Sequence, residues 1–324
     1  MRKRWIARAL AAALAVPLAA LAQSWPVKPV RIVVPYTAGG SGDIVARAIT
    51  QKLSDALGQS FLVDNRAGAN GNIGTEAVAK SPPDGYTYLL ATDIQFAIGP
   101  ALGMKPPYDP EKDFEPVSLV AFVDLVLAAH PSLGVSTMQE LVQRARAQPG
   151  RINYASTGPG STHHLSIELL KSMGNFDVTH VPYKGSAQAL PDLLSGQVQL
   201  MQLGVPQTLT HLKAGRVRAL GVGAAKRLAA LPDVPTVAEQ GFAGYEANNS
   251  WCLYAPAGTP PEILRRLQEE VAKVVAAPDV RERFVATGLE PVGSTAAELT
   301  TRMRADRDKW SRLVQRLGLK VQPQ

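Results

Sequence analysis

The sequence predicts an α/β protein, a mainly parallel sheet covered by helices and divided into two domains that face a ligand cleft. Three observations carry this. Short β-branched runs alternate with segments of helical spacing along nearly the whole chain. A small-residue loop between a strand and a helix occurs twice, first through Thr37 to Asp43 and again through Ser156 to Ser161. With 324 residues, the chain is long enough to build two cores.

The N-terminus is set aside first. Arg2, Lys3, Arg4 and Arg8 flank a stretch rich in Ala and Leu, and Ala20-Leu21-Ala22 is a small-x-small cleavage signal before Gln23. Residues 1–22 are expected to be a secretory signal peptide, since the stretch is too short and too alanine-rich for a membrane span. The formal charge of +7 comes from 34 basic and 27 acidic side chains, and without the four basic leader residues it falls to about +3. That balance, with no long basic block, argues against a nucleic-acid partner. The one cysteine, Cys252, has no internal partner, so an exported chain of this kind must rely on core packing.

The elements follow in order. Residues 31–34 read as a strand, ended by Pro35. After the loop, Ile44, Val45, Ala48, Ile49, Leu53 and Leu57 recur at steps of three and four, a helical stripe that Gly58 ends. Residues 60–63 form a second strand, and the glycine-rich stretch 65–75 leads into a short helix carrying Ile73, Ala77 and Val78. A turn at 81–85 precedes a strand at 86–91 that ends in Thr92 and Asp93. Residues 104–116, with four prolines, are a surface connection. The apolar run 117–129 is expected to be one long crossing strand.

Beyond it, a helix begins near Ser136. A strand at 152–155 delivers the second small-residue loop, and a helix with Leu165, Leu169, Leu170 and Met173 on its face follows. Strands at 178–181, 198–203 and 217–222 alternate with helices at 187–194 and up to Gly215. Residues 231–245 form an irregular, ordered connection. A last strand at 250–255 enters a proline-started helix carrying Ile263, Leu264, Leu267, Val271 and Val274, and helices near 278–287 and 296–317 complete the chain. The expected division is a discontinuous domain of 23–124 with 251–324, and a second domain of 125–250.

The twin loops carry the functional reading. Glycine allows close backbone approach, and the first turn of a helix leaves its own N–H groups unpaired, so each loop is an anion site. Two such helix starts meeting across a cleft at the carboxyl ends of the strands would hold an organic acid through charge-assisted bonds, without arginine or metal. Closure about a hinge would then bury it. The candidate residues are Thr37, Ala38, Gly39, Gly40, Ser41 and Asp43 on one side and Thr157, Gly158, Gly160 and Ser161 on the other. Asp43 is expected to accept N–H bonds within its own turn. Neither loop has the Gly-Lys-Ser/Thr of a phosphate loop or the G-x-G-x-x-G of a dinucleotide site, and the five histidines lack metal-ligand spacing, so no cofactor and no metal are expected.

Six stretches together resemble a known family. They are Pro35-Tyr36-Thr37-Ala38-Gly39-Gly40-Ser41-Gly42-Asp43, then Asn65-Arg66-Ala67-Gly68, then Ser156-Thr157-Gly158 with Gly160-Ser161-Thr162-His163-His164-Leu165. Pro182-Tyr183-Lys184-Gly185, Leu231-Pro232-Asp233-Val234-Pro235-Thr236 and Tyr254-Ala255-Pro256-Ala257-Gly258-Thr259-Pro260 complete the set. In this order they resemble the Bug receptors, the extracytoplasmic solute-binding proteins of tripartite tricarboxylate transporters, over essentially all of residues 25–321. The resemblance implies a periplasmic-binding-protein type II fold of two α/β domains and a carboxylate held by both loops, partly through waters. It further implies a periplasmic monomer that hands its ligand to membrane transporter subunits and performs no catalysis. Thr92 and Tyr183 are secondary candidates for the cleft wall. The chain departs from the family where an aromatic-acidic pair is common, carrying Leu200-Met201-Gln202-Leu203 instead, so Gln202 offers no carboxylate to a ligand ammonium.

Two other classes stay open on the residues. Ser161 beside His164 invites an exported α/β hydrolase, although no Gly-x-Ser-x-Gly elbow surrounds the serine. A sensor that passes ligand status to a signalling partner would use the same cleft.

Overall fold

The computed structural model describes residues 25–286 and 288–318. The leader at 1–22 and the end of the resemblance at Val321 lie outside the described residues. All ten strands form one continuous sheet in the order β2-β1-β3-β9-β4-β7-β5-β6, with β10 and β8 also pairing β4.

The first half begins with β1 (Val30–Val34), whose Ile32, Val33 and Val34 are all buried. A strand covered on both faces reads as a continuous apolar run rather than an alternation. It pairs in parallel with β2 (Phe61–Asn65) and β3 (Thr87–Ala91). Between β1 and β2 runs α1 (Ser41–Leu57), which buries Val45, Ile49 and Leu53 on one stripe. Each such side chain contributes on the order of 1.5–3 kcal/mol when removed from water. The helix stops at Gly58, whose φ of 67° is the left-handed conformation glycine tolerates best.

The short helix α2 (Asn72–Ala79) turns a different face inward from the one its apolar residues predict. Ile73 is 54% exposed, while Gly74, Thr75 and Val78 are buried. The cause is Gly74: a Cβ there would lie 2.9 Å from the Cα of Pro35, so only glycine lets this helix rest on the β1–α1 loop.

The long strand β4 (Phe114–Ala129) crosses the molecule as expected. Its residues up to Asp124 pair with β9 (Asn248–Pro256), and from Leu125 onward it pairs with β7 (Leu200–Gly204) and β8 (Arg218–Val222). These pairings, and that of β9 with β3, are antiparallel, so the sheet is mixed rather than mainly parallel. The strands that carry the chain between the halves run against their neighbours, while the strand–helix–strand units keep parallel pairs. In the second half β5 (Asn153–Ser156) pairs in parallel with β6 (Thr179–Pro182) and β7.

The helices of this half are α3 (Met138–Ala147), α4 (Thr162–Gly174), α5 (Ser186–Ser195) and α6 (Val205–Lys213). On α4, Ile167 takes the inner position expected for Met173, which is 39% exposed. Helices α7 (Pro261–Ala276), α8 (Pro278–Ala286) and α9 (Ala296–Leu317) return to the first half, where the short β10 (Leu289–Pro291) joins the edge of β4. The apolar core splits the same way: one cluster runs from β1 through β9 and α7, and the others surround β5, β7 and β8.

Candidate functional site

The carboxyl ends of β1, β3 and β5 and the starts of α1 and α5 converge on one cavity between the two halves. From the first half its wall is Tyr36, Thr37, Gly40, Ser41, Gly42, Thr92 and Ile94. The second half supplies Thr157, His163 and Ser186, and β9 supplies Asn249 and Trp251. The halves touch around this space. Thr162 donates its hydroxyl to Asp93 at 3.2 Å, the Asn70 amide donates to the Pro159 carbonyl at 3.2 Å, and Ser41 donates to the Gln207 carbonyl oxygen at 3.4 Å.

The start of α1 is open toward the cavity. Its cap residue, Gly40, has no side chain to offer, so the amides of Ser41 and Gly42 keep the free N–H groups of a first helical turn. Behind them, Gly39 at φ 78° turns its own N–H away, donating to the Asp43 carboxylate at 3.0 Å. Arg47 donates to the same carboxylate oxygen at 3.0 Å. Burial raises the pKa of Asp43, but the bonds from Arg47 and Gly39 outweigh it and hold the carboxyl below its ordinary value. Asp43 therefore braces the loop from within its own turn.

The second loop is built differently from the first. Ser161 caps α4 with its own hydroxyl, accepting the His164 N–H at 3.1 Å. The Gly160 N–H donates to His164 Nδ1 at 3.0 Å, and the Gly158 N–H to the Ser156 hydroxyl at 3.0 Å. Ser156 in turn bonds His180 at 2.6 Å, and the His164 and His180 rings stack at 4.3 Å. The Gly158 and Gly160 amides, expected to grip a ligand here, are taken by neighbouring side chains, and that of Ser161 donates to the Gly158 carbonyl at 3.1 Å. The helix start facing α1 is that of α5 instead. Its cap, Gly185, also lacks a capping side chain, and Ser186 lines the cavity. A Cβ on Gly185 would lie 2.5 Å from the Thr37 hydroxyl, which measures how closely the two loops meet.

Of the residues expected at the site, Thr37, Gly40, Ser41, Thr92 and Thr157 line the cavity. Ala38, Gly39, Asp43, Gly158, Gly160 and Ser161 stand outside its wall. So does Tyr183, whose hydroxyl donates to Asp192 on the following helix, α5, at 2.6 Å. Gln202 is fully buried away from the cavity and donates to the Tyr245 hydroxyl at 2.7 Å.

Ser186, Asn249, Trp251 and His163 line the cavity without being among the residues expected there. The one hint was a polar start, Asn248-Asn249-Ser250, on a strand that is otherwise apolar. His163 bonds Thr157 through Nδ1 at 3.1 Å, and burial pushes its pKa down to about 4, so the ring is neutral. Tyr36 bonds Thr92 and Gln95, and burial moves its phenol up to about 12. Four buried polar atoms around the cavity have no partner: Thr37 Oγ1, His163 Nε2, Asn249 Oδ1 and Trp251 Nε1.

A cleft between two α/β halves, walled by helix starts and closed by contacts across it, has the form of a solute-binding site. The chain belongs to the tripartite tricarboxylate transporter family receptors (TctC), whose family profile matches residues 45–319. It is 36% identical over 311 residues to the protein BugT of Bordetella pertussis, covering 96% of this chain and 95% of that one. Among solved structures, it resembles that of R. palustris Rpa4515 with adipate, at 38% identity and a TM-score of 0.89, covering 91% and 99% of the two chains. It also resembles MatC (Rpa3494) from Rhodopseudomonas palustris with bound malate, at 32% identity and a TM-score of 0.84, covering 90% and 100%. The expected family and the expected receptor fold thus hold.

Proposed function

We propose that this receptor captures a small carboxylate in the cavity between its halves and presents it, closed, to the membrane subunits of a tripartite transporter. The observation that carries the reading is the uncapped start of α1, whose Ser41 and Gly42 face a space walled from both sides. Unpaired amides and the positive end of a helix dipole favour an anion at that point, by roughly 0.3–1 kcal/mol at exposed sites and up to ~2 kcal/mol when partly buried. The relatives solved with adipate and malate support the same chemistry.

On this reading the first domain is 23–124 with 251–324 and the second is 125–250, hinged where β4 changes partners. Residues 1–22 direct export to the periplasm, and the receptor works as a monomer without catalysis. A hydrolase reading is disfavoured because the Ser161 hydroxyl is spent as a helix cap and lies outside the cavity wall. Calorimetric titration with a panel of di-, tri- and monocarboxylates tests the proposal. Saturable heat with at least one acid supports it, and no heat with any of them rejects it.

A further inference from the structure

The unpartnered atoms on the cavity wall specify more of the ligand than its acid group. Trp251, Asn249 and His163 are 3%, 2% and 5% exposed, and each lines the same cavity while holding a buried polar atom that has no partner among the described residues. A buried polar group without a partner is costly, so such groups in a binding site are expected to be completed by what binds there. The indole Nε1 is a donor only and needs an acceptor. Asn249 Oδ1 has no partner among the described residues and needs a donor. The His163 ring, engaged at Nδ1, presents one further nitrogen.

The charge of the wall sets the other half of the specification. Among the described residues, those that line the cavity include no Asp, Glu, Lys or Arg, and the His163 ring is neutral. The positive partners left are the two uncapped starts, of α1 and α5, each equivalent to about half a unit charge. Together they balance about one carboxylate. A second carboxylate at the Asn249–Trp251 end would be buried with no counter-charge, and an ammonium there would have no carboxylate to meet. A bare hydrocarbon tail would leave the Asn249 amide unsatisfied.

Building on the carboxylate reading above, we propose that the ligand is a small hydroxy acid with a single carboxylate. The carboxylate lies at the starts of α1 and α5, and the hydroxyl lies between Asn249 and Trp251, donating to one polar atom and accepting from another. Asn249 and Trp251 are thereby the residues that choose the tail.

The test uses the full mature chain and matched acids of four and six carbons. Each set contains the plain monocarboxylate, its hydroxy derivatives, and the dicarboxylate, titrated by calorimetry at one pH and salt. The hydroxy acid of the preferred length is expected to bind at least about tenfold tighter than both the plain acid and the diacid. Asn249→Leu is expected to bring the hydroxy and plain acids within about threefold of each other. Should that variant fail to fold, Trp251→Phe, which keeps the ring and removes only the N–H, is expected to narrow the same ratio. A diacid binding more tightly than the hydroxy acid, or equal binding with and without the hydroxyl, overturns this inference while leaving the carboxylate reading standing. No binding by any acid overturns both.

Discussion

The indole of Trp251 lies directly against the bare Cα of Gly42: a Cβ on Gly42 would be 2.2 Å from Cη2 of the ring. One wall of the cavity, on β9, is thus seated on the first turn of the helix that supplies the adjoining wall. The contact fixes both the indole N–H and the α1 amides that face the cavity.

Two effects oppose each other in Gly42→Ala. Replacing a helical glycine gains roughly 1 kcal/mol of propensity, and overpacking a buried contact costs roughly 1–3 kcal/mol. The rigid indole, wedged edge-on against Tyr36 at 5.8 Å, has little room to give, so the cost wins. The variant is expected to be less stable by about 1 kcal/mol in urea and to lose at least tenfold in ligand affinity by calorimetry.

Gly185 makes the matching approach on the other side, where a Cβ would press on the Thr37 hydroxyl at 2.5 Å. Its φ of 173° is ordinary extended backbone, so alanine costs the isolated half nothing in conformation. Gly185→Ala is therefore expected to hold the halves apart. The predicted outcome is affinity reduced several-fold with an unfolding midpoint within error of the parent.

Ser161→Ala separates the capping role from the nucleophile role. Loss of an N-cap hydroxyl costs about 1 kcal/mol, so a thermal melt should show a small drop in stability. Ester hydrolysis measured with the parent and the variant should be absent from both.

Asp93 is buried at the end of β3, accepting from Thr162 across the cleft, and its pKa is pushed up to about 7, mainly by burial and then by Asp306. Between pH 4 and 7 the folded chain holds a proton there that the unfolded chain has released, so this group erodes stability as pH rises through that window. Below about pH 4 it contributes no penalty. Asp93→Asn keeps the shape and the acceptor and removes the ionisation. Its stability relative to the parent is expected to increase from pH 4 to 7 and level off above, by a few kcal/mol at most. Urea melts at pH 5 and pH 8 read this difference.

The sequence was informative where chemistry is local. The loop from Thr37 to Asp43, the stripe of α1, the caps Gly58 and Gly196, and the crossing of β4 all follow from residues close in the chain. What it could not reveal is which amides are free. The loop at 156–161 has the same composition as the first, yet His164, Ser156 and Ser161 consume its hydrogen-bonding capacity. The role of the α5 start depends on Thr37, which lies far away in sequence. Trp251 reads as an ordinary strand residue and Asn249 falls just before the expected strand, since the role of both depends on a wall that only folding brings near them.

A crystal structure of the chain with a bound carboxylate shows whether an acid group sits on the open start of α1. A carboxylate oxygen is expected about 2.7–3.1 Å from the amide nitrogens of Ser41 and Gly42, with the rest of the molecule reaching toward Asn249 and Trp251. An acid found outside this cavity, or in it with its carboxylate away from those two amides, would rule that placement out.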